Sequence, residues 1–293
     1  MIHSQLLISA RPYQWIKNIF LFTPLIFSEH LFSGSYLMKS AAGFLMFSLA
    51  SSAVYIFNDI LDYERDKIHP LKRNRPIASG ALKKSTASVF AGVLLAISLM
   101  GASWLSTEFL LVIGIYLLIN LLYGIKLKEV ILLDVFCISS GFLLRVVSGA
   151  VIIDVPISQW LLVCTLTMSL FLGFAKRRHE LVLLGDDGGS HRKVLTEYSK
   201  EFLDQIITVL TTTTVISYLL YTISAETIAK FNTDKLIFTS LFVFYGVFRY
   251  IWLIDKNRGT GDPSKVLFGD AGIAASVALW FLSAIVIIYH YLP

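Results

Sequence analysis

Between residues 55 and 66 the chain reads Tyr55-Ile-Phe-Asn58-Asp59-Ile-Leu-Asp62-Tyr-Glu-Arg-Asp66. On a helix Tyr55, Asn58, Asp59, Asp62 and Asp66 share one face, because they recur at i, i+3, i+4, i+7 and i+11. Three carboxylates on one stripe repel one another, and at a helix C-terminus the dipole disfavours anions further. A cation must compensate. All-oxygen ligands suit Mg²⁺, which takes one or two carboxylates together with substrate phosphates. Asn58 and Asp62, one turn apart, are the best direct ligands. The acids then run into bases, Arg65, Lys67, Lys72, Arg73 and Arg75. An acidic stripe beside a base-rich loop is what a metal–diphosphate site needs, with metal bridging some phosphate oxygens and Lys or Arg taking the rest of the charge. Asp59, Asp62 and Asp66 are the candidate catalytic carboxylates, and Lys67, Lys72 and Arg75 the candidate phosphate ligands beside Tyr55. His69, next to Pro70, reads as structural.

A second feature is Arg145, which lies inside an apolar run eleven residues after Asp134. That spacing is close to three helical turns, so Asp134, Gly141 and Arg145 face the same way, with Arg145 about 16 Å further along the axis. A charge that deep must face protein or a water-filled cavity. An ion pair with an acid elsewhere is one way to satisfy it. The favoured reading is a place in the cavity, holding a phosphate or diphosphate.

Such residues need elements to hold them. Of the 293 residues 56% are apolar and only 15% charged, and the mean hydropathy is +0.70. A soluble domain is about a quarter charged, and disorder requires low hydrophobicity, so both classes are excluded. Nine apolar runs, near 17–32, 41–58, 86–104, 107–123, 130–153, 158–176, 204–224, 235–254 and 270–291, approach the length that crosses a bilayer. In lipid only helices suit such runs. The predicted fold is all-α, a polytopic membrane protein of about nine transmembrane helices forming one domain over 1–293. The first run is the weakest, interrupted by Pro24. The net charge of +5 is not spread evenly. The N-terminus and the loops after the second, fourth, sixth and eighth runs carry nearly all the bases, which places them and the acidic stripe at the cytoplasmic face of a multi-pass cell-membrane (inner-membrane) protein.

Smaller features are read more simply. Cys137 and Cys164 lie in apolar runs, which predicts free thiols. Residues Met1 to Lys17 lack the pattern of a cleaved signal peptide. Asp186-Asp187 and the Gly259–Gly261 loop read as turns; the latter lacks the spacing of a phosphate-binding loop. Thr211 to Thr214 are expected to hydrogen-bond between helices. No nucleic-acid partner is expected, since the bases sit on membrane loops beside matching acids.

The stretch Asn58-Asp59-xx-Asp62-xxx-Asp66 resembles the NDxxDxxxD motif of the UbiA superfamily of intramembrane prenyltransferases. A narrower resemblance extends over most of the chain, thinning after about residue 200. Arg11-Pro-Tyr-Gln-Trp-Ile-Lys17-Asn18, His69-Pro-xx-Lys72-Arg73-xx-Arg75-Pro76, Tyr123-Gly-Ile-Lys126-Leu-Lys128, Leu133-Asp134 with Ser139-Ser140-Gly141-Phe142-Leu143-Leu144-Arg145, and Lys176-Arg177-xx-Glu180-Leu181 are together similar to decaprenyl-phosphate phosphoribosyltransferases. The resemblance implies a UbiA-like helical bundle, Mg²⁺, phosphoribosyl diphosphate and a polyprenyl phosphate as substrates, and a product that feeds cell-envelope polysaccharide synthesis. It leaves a homo-oligomer open. It also raises Lys17, Tyr123, Lys126, Lys128 and Lys176 to substrate contacts; by type alone they read as interfacial lysines and an aromatic belt. One departure from the superfamily matters. Prenyl-diphosphate users carry a second acidic DxxxD motif where this chain has Lys176-Arg-Arg-His-Glu180. A base in place of the first acid suits an extra phosphate and argues against the alternative, a prenyl transfer to an aromatic acceptor. A transporter of phosphorylated solutes would favour broken midplane helices and matched halves, which the sequence does not display clearly.

Overall fold

The computed structural model describes residues 2–70, 72–184, 193–256 and 263–290; Asp186, Asp187 and the Gly259–Gly261 loop lie outside them. Among the described residues every regular element is an α- or 3₁₀-helix. Among the described residues eight helices are long and apolar enough to cross a membrane: Gly34–Leu61, Lys84–Leu105, Thr107–Ile125, Leu133–Ile152, Gln159–Leu183, Lys200–Ile223, Lys235–Asp255 and Ala271–His290.

The predicted first span is wound differently. After a short helix α1 (Ile2–Ala10), residues Pro12–Phe22 form a 3₁₀ segment, which passes into the five-residue helix α2 (Thr23–Phe27) with Pro24 in its first turn. Proline is tolerated there because the amide hydrogens of a first turn have no helical partner. At roughly 2.0 Å per residue the 3₁₀ winding reaches about 22 Å, further than the same residues would as an α-helix. The nine runs therefore become eight long helices plus this segment.

The chain forms two compact units, Met1–Pro156 and Ile157–Pro293. The first holds α1, the 3₁₀ segment, α2, α3 (Gly34–Leu61), α4 (Tyr63–Ile68), α5 (Lys84–Leu105), α6 (Thr107–Ile125) and α7 (Leu133–Ile152). Its main core gathers Leu21, Leu25, Phe47, Ala50, Phe109, Ile113, Tyr116 and Ile152. A second cluster, Ile56, Ile77, Leu82 and Ala87 with Leu6 and Tyr63 against it, lies at the end of α3. It explains how the loop after the acidic motif returns to it. Burying Ile77 and Leu82 on Ile56 pins the loop, and the Ser79 and Leu82 amides close it onto the Arg75 and Pro76 carbonyls.

Gly149 fixes a second approach. A Cβ there would stand 1.9 Å from the Leu21 carbonyl oxygen and 2.8 Å from its carbon, so the α7 backbone meets the 3₁₀ segment where only glycine fits. Gly149→Ala forces the two backbones apart. The expected cost is about 1–3 kcal/mol of stability, read as a lower melting temperature in detergent, with a loss of activity because Gly149 lies one turn beyond Arg145.

The second unit contains the helices Gln159–Leu184, Lys200–Ile223, Ser240–Asp255 and Ala271–His290. A polar chain ties three of its segments together: Trp280 Nε1 donates to Tyr218 Oη at 2.7 Å, and Tyr218 Oη lies 2.6 Å from Thr239 Oγ1. The threonine row behaves otherwise than expected. Thr211, Thr212 and Thr213 donate to the Ile207, Thr208 and Val209 carbonyls of their own helix. A threonine hydroxyl is always within reach of its i−4 carbonyl, and in lipid that local partner satisfies it without a neighbour. Cys137 and Cys164 are free thiols.

Candidate active site

The acidic stripe bends. α3 ends at Leu61, and Asp62 (φ −89°, ψ 10°) is the joint to α4. Helical register survives the joint, since the Asp62 amide donates to the Asn58 carbonyl at 2.9 Å and the Asp66 amide to the Asp62 carbonyl at 2.8 Å. The three carboxylates consequently face two sets of bases. Asp59 and Asp66, both nearly fully buried at 3% and 2% exposure, meet at Arg75, whose Nη1 lies 2.9 Å from Asp59 Oδ1 and 2.6 Å from Asp66 Oδ2. Lys72 Nζ approaches Asp66 at 4.0 Å. Asp62, half-buried, turns instead to Lys128, whose Nζ is 2.6 Å from Oδ1.

Asn58 sits one turn before Asp62, and its Oδ1 is buried with no hydrogen-bond partner. Leaving a buried carbonyl oxygen unpaired costs free energy, so the orphan invites a cation. The space beside it is kept by Gly124 of α6, where a Cβ would come within 2.7 Å of that oxygen. This is the glycine of the Tyr123-Gly-Ile-Lys126 motif. Among the described residues no group of three His, Cys, Asp or Glu side chains converges on one point. The arrangement fits a Mg²⁺ held by few protein ligands: a free amide oxygen, one carboxylate on a displaceable lysine, and room for water and phosphate oxygens.

Deeper in the unit, Arg145 is 5% exposed. Its Nε donates to Asn18 Oδ1 at 2.7 Å and its Nη1 to the Gly141 carbonyl at 2.6 Å. The guanidinium lies 5.1, 5.3 and 5.4 Å from the ring centres of Phe47, Tyr116 and Phe142. None of these partners is a carboxylate, so the ion pair considered from sequence is not the arrangement found. Asn18, 1% exposed, is itself oriented by α3: its Nδ2 donates to Ser48 Oγ at 2.9 Å and Ser51 Oγ at 3.3 Å. Trp15 Nε1 donates to Ser52 Oγ at 2.9 Å. A row of small hydroxyls on α3 thus seats the 3₁₀ segment, and that segment seats Arg145.

The structure brings Asn58, Asp59, Asp62, Asp66, Lys72, Arg75 and Lys128 together at one end of α3. Tyr55 joins them through Arg11, whose guanidinium lies 5.3 Å from its ring centre. Lys17 and Tyr123 are half-buried, and Lys126 is exposed. Lys67 points elsewhere, its Nζ 4.1 Å from the Tyr63 ring centre and 3.9 Å from Glu64. Tyr63 foremost, and Glu64 after it, hold that ammonium above the ordinary lysine range. Lys176 belongs to the second unit, with Nζ 3.9 Å from Glu180, which also accepts from Arg177 at 2.6 Å. Arg178 there is bound to Asp204 and to the Ile254 carbonyl. Two site neighbours were not singled out from sequence, Asn18 as the seat of Arg145 and Arg11 as a partner of Asp59 at 2.5 Å. Their signal was their place in the Arg11-to-Asn18 motif at the head of the first run.

An all-helical membrane protein with an Asn-Asp-rich motif at the end of one span and bases around it defines a class. The chain belongs to the UbiA prenyltransferase family, whose pattern it matches over residues 28–271. It is 33% identical over 287 residues to the decaprenyl-phosphate phosphoribosyltransferase of Mycolicibacterium smegmatis, covering 94% of this chain and 90% of that one. It is 33% identical over 279 residues to the enzyme of the same name from Mycobacterium tuberculosis, covering 93% and 90%. Its fold is also that of a UbiA homolog from Archaeoglobus fulgidus, solved bound to GPP and Mg²⁺, with a TM-score of 0.74 at 18% identity, covering 97% of this chain and 99% of the other.

Proposed function

We propose that the protein transfers 5-phosphoribosyl from phosphoribosyl diphosphate to a polyprenyl phosphate of the decaprenyl type and releases diphosphate. The reaction would run at the cytoplasmic face of the cell membrane, over one catalytic domain comprising residues 1–293, and its lipid product would feed cell-envelope polysaccharide synthesis. The observation that carries the reading is Arg145, a buried guanidinium whose partners among the described residues are neutral. A cation without an acid is matched by an anion from the substrate, and phosphoribosyl diphosphate with a lipid phosphate supplies more phosphate groups than a prenyl diphosphate does. The likeness to phosphoribosyltransferases over most of the chain supports the same choice.

In this mechanism a lipid-phosphate oxygen forms the new bond to the anomeric carbon while the bond to the diphosphate oxygen breaks. Positive charge develops on the ribose ring and negative charge on the leaving group. Asn58 and Asp62 would hold Mg²⁺, which when bound neutralises developing diphosphate charge. Lys72, Arg75 and Lys128, released from Asp66, Asp59 and Asp62, take phosphate oxygens. Lys17, Lys126 and Tyr123 extend the phosphate contacts. The attacking phosphate is already anionic, so no strong base is required, and catalysis rests on positioning and electrostatics.

The test is an assay on purified protein supplied with Mg²⁺, polyprenyl phosphate and labelled phosphoribosyl diphosphate. Labelled lipid is expected. Absence of that product, with turnover of a prenyl diphosphate and an aromatic acceptor instead, overturns the assignment.

A further inference from the structure

Arg11 is left over by the chemistry above. It stands where α1 gives way to the 3₁₀ segment, in a left-handed conformation (φ 53°, ψ 57°) that a residue with a Cβ adopts only at a cost. Pro12 disfavours a right-handed helix at the residue before it, and the Arg11 amide is anchored on the Leu7 and Ile8 carbonyls, each at 3.2 Å. The kink carries the side chain to one point. Nη2 lies 2.5 Å from Asp59 Oδ1, the same oxygen that Arg75 Nη1 reaches at 2.9 Å. One buried carboxylate oxygen is thus divided between two guanidiniums, and the second of them also bridges to Asp66 at 2.6 Å.

Two cations sharing one negative charge each hold it less tightly than one cation alone. Without Arg11, Asp59 would belong to Arg75 only, and Arg75 would be drawn away from any phosphate. We propose that Arg11 is a positioning residue that, by sharing Asp59, keeps Arg75 available to a phosphate oxygen of the diphosphate substrate. The inference rests on the diphosphate-transfer reading, and it holds for any diphosphate donor.

The probe is inorganic diphosphate with Mg²⁺, bound to the purified full chain and followed by calorimetry beside a melting curve. Arg11→Gln is expected to weaken diphosphate binding about tenfold and to raise the donor KM with kcat little changed, while Arg11→Lys recovers most of the binding. The double variant R11Q/D59N should bind no worse than R11Q, because the charge that over-holds Arg75 has gone. Unchanged binding in R11Q overturns the proposal. So does a double variant that loses the product of the two single losses, which would put Arg11 on the diphosphate itself. Where D59N does not fold, R11K decides: recovery supports the proposal, and binding at the R11Q level overturns it. A wild-type chain that binds diphosphate but does not turn over phosphoribosyl diphosphate refutes the proposed function and leaves the Arg11 comparison intact.

Discussion

Asp62→Ala is expected to reduce transfer by about 10³-fold while leaving the protein folded and melting near the wild-type temperature. The three motif carboxylates are not equivalent. Asp59 and Asp66 are buried and joined through Arg75, so removing either unbalances a buried ion-pair network, and lost activity there would be confounded with lost stability. Asp62 stands apart at the joint between α3 and α4, half-buried, and its ion-pair partner among the described residues is Lys128. A lysine on a flexible stem can leave a carboxylate and move to a phosphate without rebuilding its surroundings. Breaking a partly exposed pair of this kind costs less than about 1 kcal/mol. The same change removes the charged partner of Asn58 in holding the cation, and with it the neutralisation of the leaving diphosphate. Asp62→Asn, which keeps the shape and drops the charge, should fall nearly as far. The measurement is initial rate at saturating Mg²⁺ together with the melting curve. A rate within twofold of wild type would remove Asp62 from the metal site.

The acidic motif was legible because its chemistry is local. Spacing alone placed Asn58, Asp59, Asp62 and Asp66 on one face, and the backbone bonds across the joint keep that register. The division of labour among the acids was not legible. It depends on which bases return to them, and Arg75 returns because Ile77 and Leu82 bury against Ile56, a tertiary event with no signature at Arg75 itself. The long helices were legible for the same reason as the motif, since hydropathy over about 20 residues is a sum over neighbours. The first run is wound partly as 3₁₀ helix because Pro12 opens that winding, Pro24 interrupts the run, and the hydroxyl row of α3 supplies Trp15 and Asn18 with partners from outside. Thr211 to Thr213 failed in the opposite sense: the local carbonyl was a sufficient partner, and no neighbour was needed. Arg11 shows the limit most plainly. Its left-handed backbone and its hold on Asp59 bring together residues 48 apart in the chain, and no periodicity encodes that.

Arg145→Met should separate activity from stability more sharply than any other change. Transfer is expected to fall by about 10²–10³-fold, the scale of losing one charged group from a preorganised site, while the melting temperature stays level or rises. The stability side follows from the partners. Burying a guanidinium costs several kcal/mol after relaxation, and among the described residues its partners are the Asn18 oxygen, the Gly141 carbonyl and three rings rather than a carboxylate. Methionine occupies similar length, packs against the same rings and removes the buried charge. What it leaves behind is an unpaired Asn18 oxygen, worth about 1–3 kcal/mol, and the two terms nearly cancel or favour the variant. Arg145→Lys keeps the charge but cannot span Asn18 and the Gly141 carbonyl with one planar fork, so an intermediate activity is expected. Both variants should raise the KM for the phosphorylated donor. If Arg145→Met instead melts several degrees lower and keeps both KM and kcat, the guanidinium is a strut between α7 and the 3₁₀ segment, and the anion that it was assigned to hold must be held elsewhere.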